Sequence, residues 1–272
     1  MELNTLSVEE VLRVHDALVR DFAQANDPIS PPGVKSRDLL ESAVSRQRTA
    51  SGGRLKYPDP ISNAATLLYG ICSDHPFHNG NKRTALVSML VHLDKNKLSP
   101  YETSQDELFY MIMQVAMHTI GIRIPPKRKD SSVPRRDADE EVKAIAEWIA
   151  GRTARVVRGE RRITYRELRQ ILTRFNYSME NPDNNSIDII KCEKGKKGFL
   201  LKKPTITTKR IGSIPYPGDT AEVSLKVIKN LRTMTRLTEE NGIDSASFYD
   251  EAVIIDSFVN RYRTMLRRLA RR

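Results

Sequence analysis

The sequence predicts a mainly α-helical bundle carrying one β-hairpin over residues 1–124, followed after a linker by a basic α+β domain. Three observations carry this reading. Apolar residues recur at helical spacing behind capping signals throughout the first half. Residues 125–137 gather three prolines and five cations with almost nothing apolar, the composition of a linker. Runs of β-branched residues broken by glycine and proline cluster after residue 185. The expected boundaries are therefore 1–124, 125–137 and 138–272.

Taken in order, Ser7 with Glu10 makes a capping box that opens a helix, and Val11, Leu12, Val14, Leu18 and Phe22 form its apolar stripe. The three prolines of segment 28–33 must interrupt it. Helices are expected over 36–46, 61–73, 81–95 and 104–119, the third of them amphipathic. Between the first two, Gly52-Gly53 favours a turn joining two short extended arms in 49–58. Past the linker a helix is expected over 139–154, with Trp148 on its apolar face. A second capping box, Thr164 with Glu167, opens another that runs to Phe175. Strands are expected at 186–192, 199–203 and 205–211, then helices at 220–237 and 248–271. No internal repeat is present.

At 272 residues the chain is long enough for two domains. Its 39% hydrophobic and 29% charged residues are those of a soluble globular protein, and no apolar run approaches the roughly 20 residues that span a bilayer. The cysteines are Cys72 and Cys192, and Met1–Asn4 has neither a basic nor an apolar leader, which predicts a reducing cytoplasm.

Residues 75–85, His-Pro-Phe-His-Asn-Gly-Asn-Lys-Arg-Thr-Ala, set an imidazole and a glycine loop just ahead of a helix. A helix N-terminus offers unpaired N–H groups and partial positive charge, so Gly80 and Asn81 can wrap anionic oxygens while Lys82 and Arg83 add charge, Arg83 as a two-point fork. His75 can take the proton of an attacking hydroxyl. Phe77 should anchor the loop in the core, where its ring contributes ~2 to 3 kcal/mol.

These eleven residues resemble the signature of the Fic/Doc family, and the Lys-Arg-Thr-Ala ending looks like its Doc branch. The flanking segments 6–12, 39–43 and 65–70 agree, so the resemblance covers roughly residues 1–124. It implies a helical Fic/Doc bundle with His75 as general base, and a hairpin flap (Gly52, Gly53, Arg54, Leu55) that binds the backbone of a protein target. Lys82 stands where Fic-type adenylyltransferases usually have a small residue, and Leu86 where they have a second arginine. Both departures resemble Doc, which transfers the γ-phosphoryl group of ATP to a Ser or Thr hydroxyl. Phosphorylation is the first expectation and adenylylation the alternative. The family usually has a carboxylate for Mg²⁺ at the position of Asn79, so a neutral amide there implies an ion held mainly by the triphosphate, or reduced activity. A catalytically weak pseudoenzyme acting as an interaction protein is the third reading. The resemblance also implies a target such as elongation factor Tu. No stretch matches the inhibitory helix of many Fic proteins, and 235–241 misses it by one place, so restraint is expected from a separate antitoxin.

The net charge of +11 belongs to the second half. Residues 1–124 hold 13 Lys and Arg against 14 Asp and Glu, and residues 125–272 hold the other 32 against 20. Lys194, Lys196, Lys197, Lys202, Lys203, Lys209 and Arg210 follow one another with no carboxylate between Glu193 and Asp219. This suggests RNA or a ribonucleoprotein as partner, against an ordinary solvated surface. The expected helix, three strands and helix are loosely similar to the HicA family of RNA-targeting toxins and to double-stranded-RNA-binding folds, on the pieces 163–168 and 214–218. HicA-like enzymes keep a histidine on the first strand; residues 125–272 contain none, which leaves a binding module.

Overall fold

The structure, a computed structural model, describes residues 3–122, 137–155, 163–194, 206–243, 248–249 and 251–270. The chain divides into two compact units, one made of Met1–Val156 with Phe258–Arg272 and the other of Val157–Ser257. The division expected from composition, at 125–137, is not where the units part. The second unit is instead inserted between two pieces of the first.

The first unit is helical, as expected. Helix α1 (Val8–Phe22) starts with the predicted capping box and buries Val11, Val14, Leu18 and Phe22. A loop carries the chain to α2 (Arg37–Ser45), a 3-10 turn (Arg46–Arg48) and the hairpin of β1 (Ala50–Ser51) and β2 (Arg54–Leu55). Both turn glycines have positive φ, 57° and 74°, the twist that a two-residue hairpin requires. Helix α3 (Pro60–Asp74) is capped by Asp59, which accepts from Ile61 N and Ser62 N.

Helix α4 (Asn81–Lys95) departs from expectation: it is not amphipathic, because every residue from Arg83 to Leu93 is buried. It is the central post of the bundle, with α1 and α3 packed against it. Next come β3 (Leu98–Pro100) and α5 (Gln105–Ala116). Helix α5 stops three residues before the expected end, and His118 beyond it has a left-handed backbone, φ 55°.

Two elements expected in the second domain complete the first unit instead. Helix α6 (Ala138–Ala150) packs on α3, and β4 (Thr153–Arg155) pairs antiparallel with β3. The helix expected over 139–154 is shorter because these last residues extend to form β4. At the chain's end the single helix expected over 248–271 is two, α9 (Glu251–Arg261) and α10 (Arg263–Ala270), broken at Tyr262. Helix α10 lies on α4 and α5, burying Met265, Leu266 and Leu269. Arg263 pairs with Asp21 and Arg268 with Asp106.

The second unit places α7 (Tyr165–Arg174), three antiparallel strands in the order β5 (Tyr177–Asp183), β6 (Ser186–Lys194), β7 (Ile206–Pro215), and α8 (Leu225–Thr235) around one core. Order and composition follow the expected helix, three strands and helix, but the strands differ. β5 was not expected: Asn181 (φ 51°) and Pro182 distort it, and its register slips between Glu180 and Asp183. The strand expected at 199–203 lies outside the described residues. β7 runs on past Gly212, expected as a break, but its register with β6 slips there, Ile189 pairing with Gly212 and Ile190 with Arg210, and a Cβ on Gly212 would stand 2.4 Å from Met234 Sδ of α8. Glycine here serves helix-on-sheet packing. Among the described residues, no helix is long and apolar enough to cross a membrane.

Candidate active site

His75 ends α3 as its C-cap, in the left-handed conformation (φ 48°, ψ 54°), with its ring exposed. The chain then turns through Pro76–Gly80 into α4, so the imidazole and the α4 N-terminus flank one short loop. Three main-chain bonds fasten that loop to segment 33–36: Lys35 N and Ser36 N donate to Pro76 O at 2.8 and 3.1 Å, and His78 N donates to Gly33 O at 3.1 Å. Phe77 is buried, as expected. Asn81 closes the loop on itself, accepting from Phe77 N and donating to Phe77 O, both at 2.9 Å. Its side chain therefore shapes the loop, beside the anion-binding role expected of its backbone.

Gly80 is the N-cap of α4, with φ 79°, and supplies no capping side chain. A Cβ at this position would stand 3.0 Å from Ile29 Cδ1, so backbone conformation and close approach both require glycine. The first turn of α4 is left as a place where an anion can meet N–H groups and helix dipole. Lys82 is half-buried beside it, and burial pushes its ammonium below the ordinary lysine range.

Arg83 is not at the loop surface. It is 2% exposed, donates Nη1 to Asp27 O at 3.3 Å and lies over the Phe22 ring. A phosphate fork would have to be turned out of this seat. Asn79 is also engaged: its amide donates to Ser30 O at 3.0 Å, and its Oδ1 accepts from Gly80 N at 2.6 Å. The loop has no carboxylate, and among the described residues no group of His, Cys, Asp or Glu could hold a metal ion. The residues present do not fit a protein-held Mg²⁺.

Sequence reasoning missed His15. This α1 side chain is 1% exposed and stacks on Phe77, with ring centroids 4.1 Å apart. Nε2 accepts from Gly33 N at 3.1 Å, which leaves the proton on Nδ1 to donate to Thr84 Oγ1, also at 3.1 Å. One neutral imidazole thus ties together α1, the 33–36 segment, Phe77 and the first turns of α4. Burial pushes its pKa down to about 4. A histidine within an apolar stripe is the only sequence signal for it.

The hairpin expected as a flap is present, with Gly52, Gly53, Arg54 and Leu55 all exposed. Its stems are held from beneath by buried Asn63, whose Nδ2 donates to Gln47 O at 2.8 Å and Tyr57 O at 2.9 Å. His92 of α4 orients that amide by donating Nε2–H to Asn63 Oδ1 at 2.9 Å, and burial pushes His92 down to about 4 as well. From α6, Asp139 binds Lys56 Nζ at 2.6 Å and accepts from Tyr57 OH at 2.9 Å. Its carboxyl is held below the usual range by those two partners. Cys72 is buried, its thiol pushed up to about 12, and is no nucleophile.

The expected basic surface of the second unit is only partly described. Lys209 and Arg210 are neighbours on β7 and so point to opposite faces, and Arg210 pairs with Asp188 at 2.8 Å. The side chains of the other five lysines lie outside the described residues.

Residues 5–93 match the sequence model of the Fic/DOC family. A search of curated proteins finds no match to the chain.

Proposed function

Because residues 5–93 form a Fic/DOC-family domain, we propose that this chain is a transferase of the Doc kind, moving the γ-phosphoryl group of ATP to a Ser or Thr hydroxyl of a protein. The observation that carries this reading over adenylylation is at Leu86, which is fully buried in α4. No second guanidinium can stand there to hold a terminal phosphate in the Fic orientation, and Lys82 occupies the first turn instead. In this reading the target hydroxyl gives its proton to His75 and its oxygen attacks the γ-phosphorus. The bond to the β,γ-bridging oxygen breaks and ADP leaves. The α4 N-terminus and Lys82 offset the charge that develops on the phosphoryl oxygens. Among the described residues no group would hold Mg²⁺, so the ion would have to be carried by the triphosphate itself.

Elongation factor Tu as target, an antitoxin as restraint, and RNA as partner of the second unit belong to the same proposal. A second reading, a catalytically weak member of the family, is favoured by the engaged Asn79 amide. The decisive experiment incubates the purified chain with ATP labelled at the γ- or the α-phosphate and a bacterial protein extract. Label from γ alone, abolished by His75→Ala, supports the kinase. Label from α identifies an adenylyltransferase. No label from either, with ATP still bound, supports the weak member.

A further inference from the structure

The hairpin is charged in a one-sided way. Residues 42–58 hold four cations, Arg46, Arg48, Arg54 and Lys56, and no carboxylate. Lys56 is neutralised by Asp139, which also fixes Tyr57 and so anchors the C-terminal stem to α6. Asp59, the next carboxylate along the chain, is occupied in capping α3. Among the described residues no carboxylate pairs with the three arginines. Among the described residues Arg48 donates to Thr5 Oγ1 alone, at 3.3 Å, and Arg54 lies exposed on β2.

Arg46 links this charge to the reacting end of α3. Its Cδ passes 2.9 Å from where a Cβ would stand on Gly70, so the side chain can cross α3 because residue 70 has none. Its guanidinium lies over the Tyr69 ring, 4.9 Å from the centroid, and Nε donates to Thr66 Oγ1 at 3.2 Å. Tyr69 is roughly 9 Å of helix before His75 at the α-helical rise. Arg46 is the first group to oppose the burial that raises the Asp74 carboxyl, so its charge is felt at the residue preceding the proposed base.

A two-stranded hairpin with open edges pairs with an extended segment through main-chain bonds, and the side chains beside those edges choose the segment. We infer that this hairpin selects an acidic target segment, one whose acceptor hydroxyl is flanked by Asp or Glu side chains that meet Arg48, Arg54 and Arg46. Guanidinium–carboxylate pairs supply the selection, and Asp139 removes Lys56 from it. This inference rests on the protein-modifying reading above, in which the hairpin clamps the target.

The test measures binding rather than transfer. The full-length chain without nucleotide is titrated against fluorescent extended peptides that share one central Thr and differ only in acidic, amide or basic flanks. Fluorescence anisotropy should show the acidic peptide bound on the order of tenfold more tightly than the amide one, a margin that shrinks as salt rises. Arg54→Glu should reverse the preference and Arg54→Lys should keep it. Equal affinity for acidic and amide peptides overturns the inference and leaves the arginines as guards against edge-to-edge aggregation. Displacement of the acidic peptide by single-stranded RNA at equal or higher affinity also overturns it, in favour of a nucleic-acid surface. Acidic-peptide binding without any label transfer would instead count against the kinase and leave the recognition surface standing.

Discussion

At the scale of single residues, the loop is built by amides and one imidazole as much as by the groups that face a substrate. Asn79 is the plainest case. Viewed as a replaced metal ligand, it should gain function when changed to Asp. In the structure its Nδ2–H binds Ser30 O, and a carboxylate has no proton to give. Asn79→Asp would set a negative oxygen against that carbonyl. The bond is exposed, so the variant should lose ~0.5 to 1.5 kcal/mol of stability, read as a lower urea midpoint at neutral pH. An unchanged midpoint would mean the Ser30 contact contributes nothing in solution. The same reasoning explains Gly80, where φ 79° and the nearness of Ile29 leave no room for a side chain.

At the scale of elements, the hairpin and the phosphate-facing helix share a support. Asn63 on α3 holds both stems of the hairpin, and His92 on α4 holds Asn63. Asn63→Ala strands two buried carbonyls and one imidazole N–H, at a cost of about 1 to 3 kcal/mol for each group left unpaired. Amide exchange over residues 49–57 should quicken by more than at α1, which makes no bond to Asn63. Uniform quickening across the first unit would show that Asn63 supports the core generally and does not govern the hairpin. The arrangement also explains why α6 matters to a site it does not enter. Through Asp139 it grips the hairpin stem, and His118 grips α6 in turn by binding both oxygens of Glu141 at 3.0 and 2.9 Å.

At the scale of the whole molecule, two consequences follow from burial. His15 and His92 have pKa values of about 4 when folded, against an ordinary 6.5. Between those values the unfolded chain binds more protons than the folded one, so stability is full above pH 6.5 and falls as pH drops toward 4. Each histidine contributes up to about 3 kcal/mol to this loss. Urea midpoints measured from pH 7.5 to 4.5 should decline, and His92→Gln should flatten part of the decline. The second consequence concerns α10. Deleting residues 258–272 uncovers the surface on which Met265, Leu266 and Leu269 are buried, at roughly 1.5 to 3 kcal/mol per side chain, a sum comparable to a domain's whole margin. The truncated chain should be cut by protease within the first unit far sooner than the full one. Equal resistance would show that α10 docks without stabilising.

What the sequence determined by itself was local. Capping boxes at Ser7 and Thr164, the paired hairpin glycines, and the loop from His75 to Arg83 are patterns within a few residues, and such patterns have fixed conformational consequences. Tertiary structure alone decided what each pattern packs against. α4 reads as amphipathic because Lys82, Arg83, Ser88 and His92 break its apolar run, yet Arg83 finds Asp27 O and the Phe22 ring, His92 finds buried Asn63, and the helix becomes the core. α6, β4 and α10 lie beyond a linker-like stretch in the chain but return to the first unit. Their partners, α3, β3 and α5, are tens to more than a hundred residues away, and no local pattern encodes a contact at that separation.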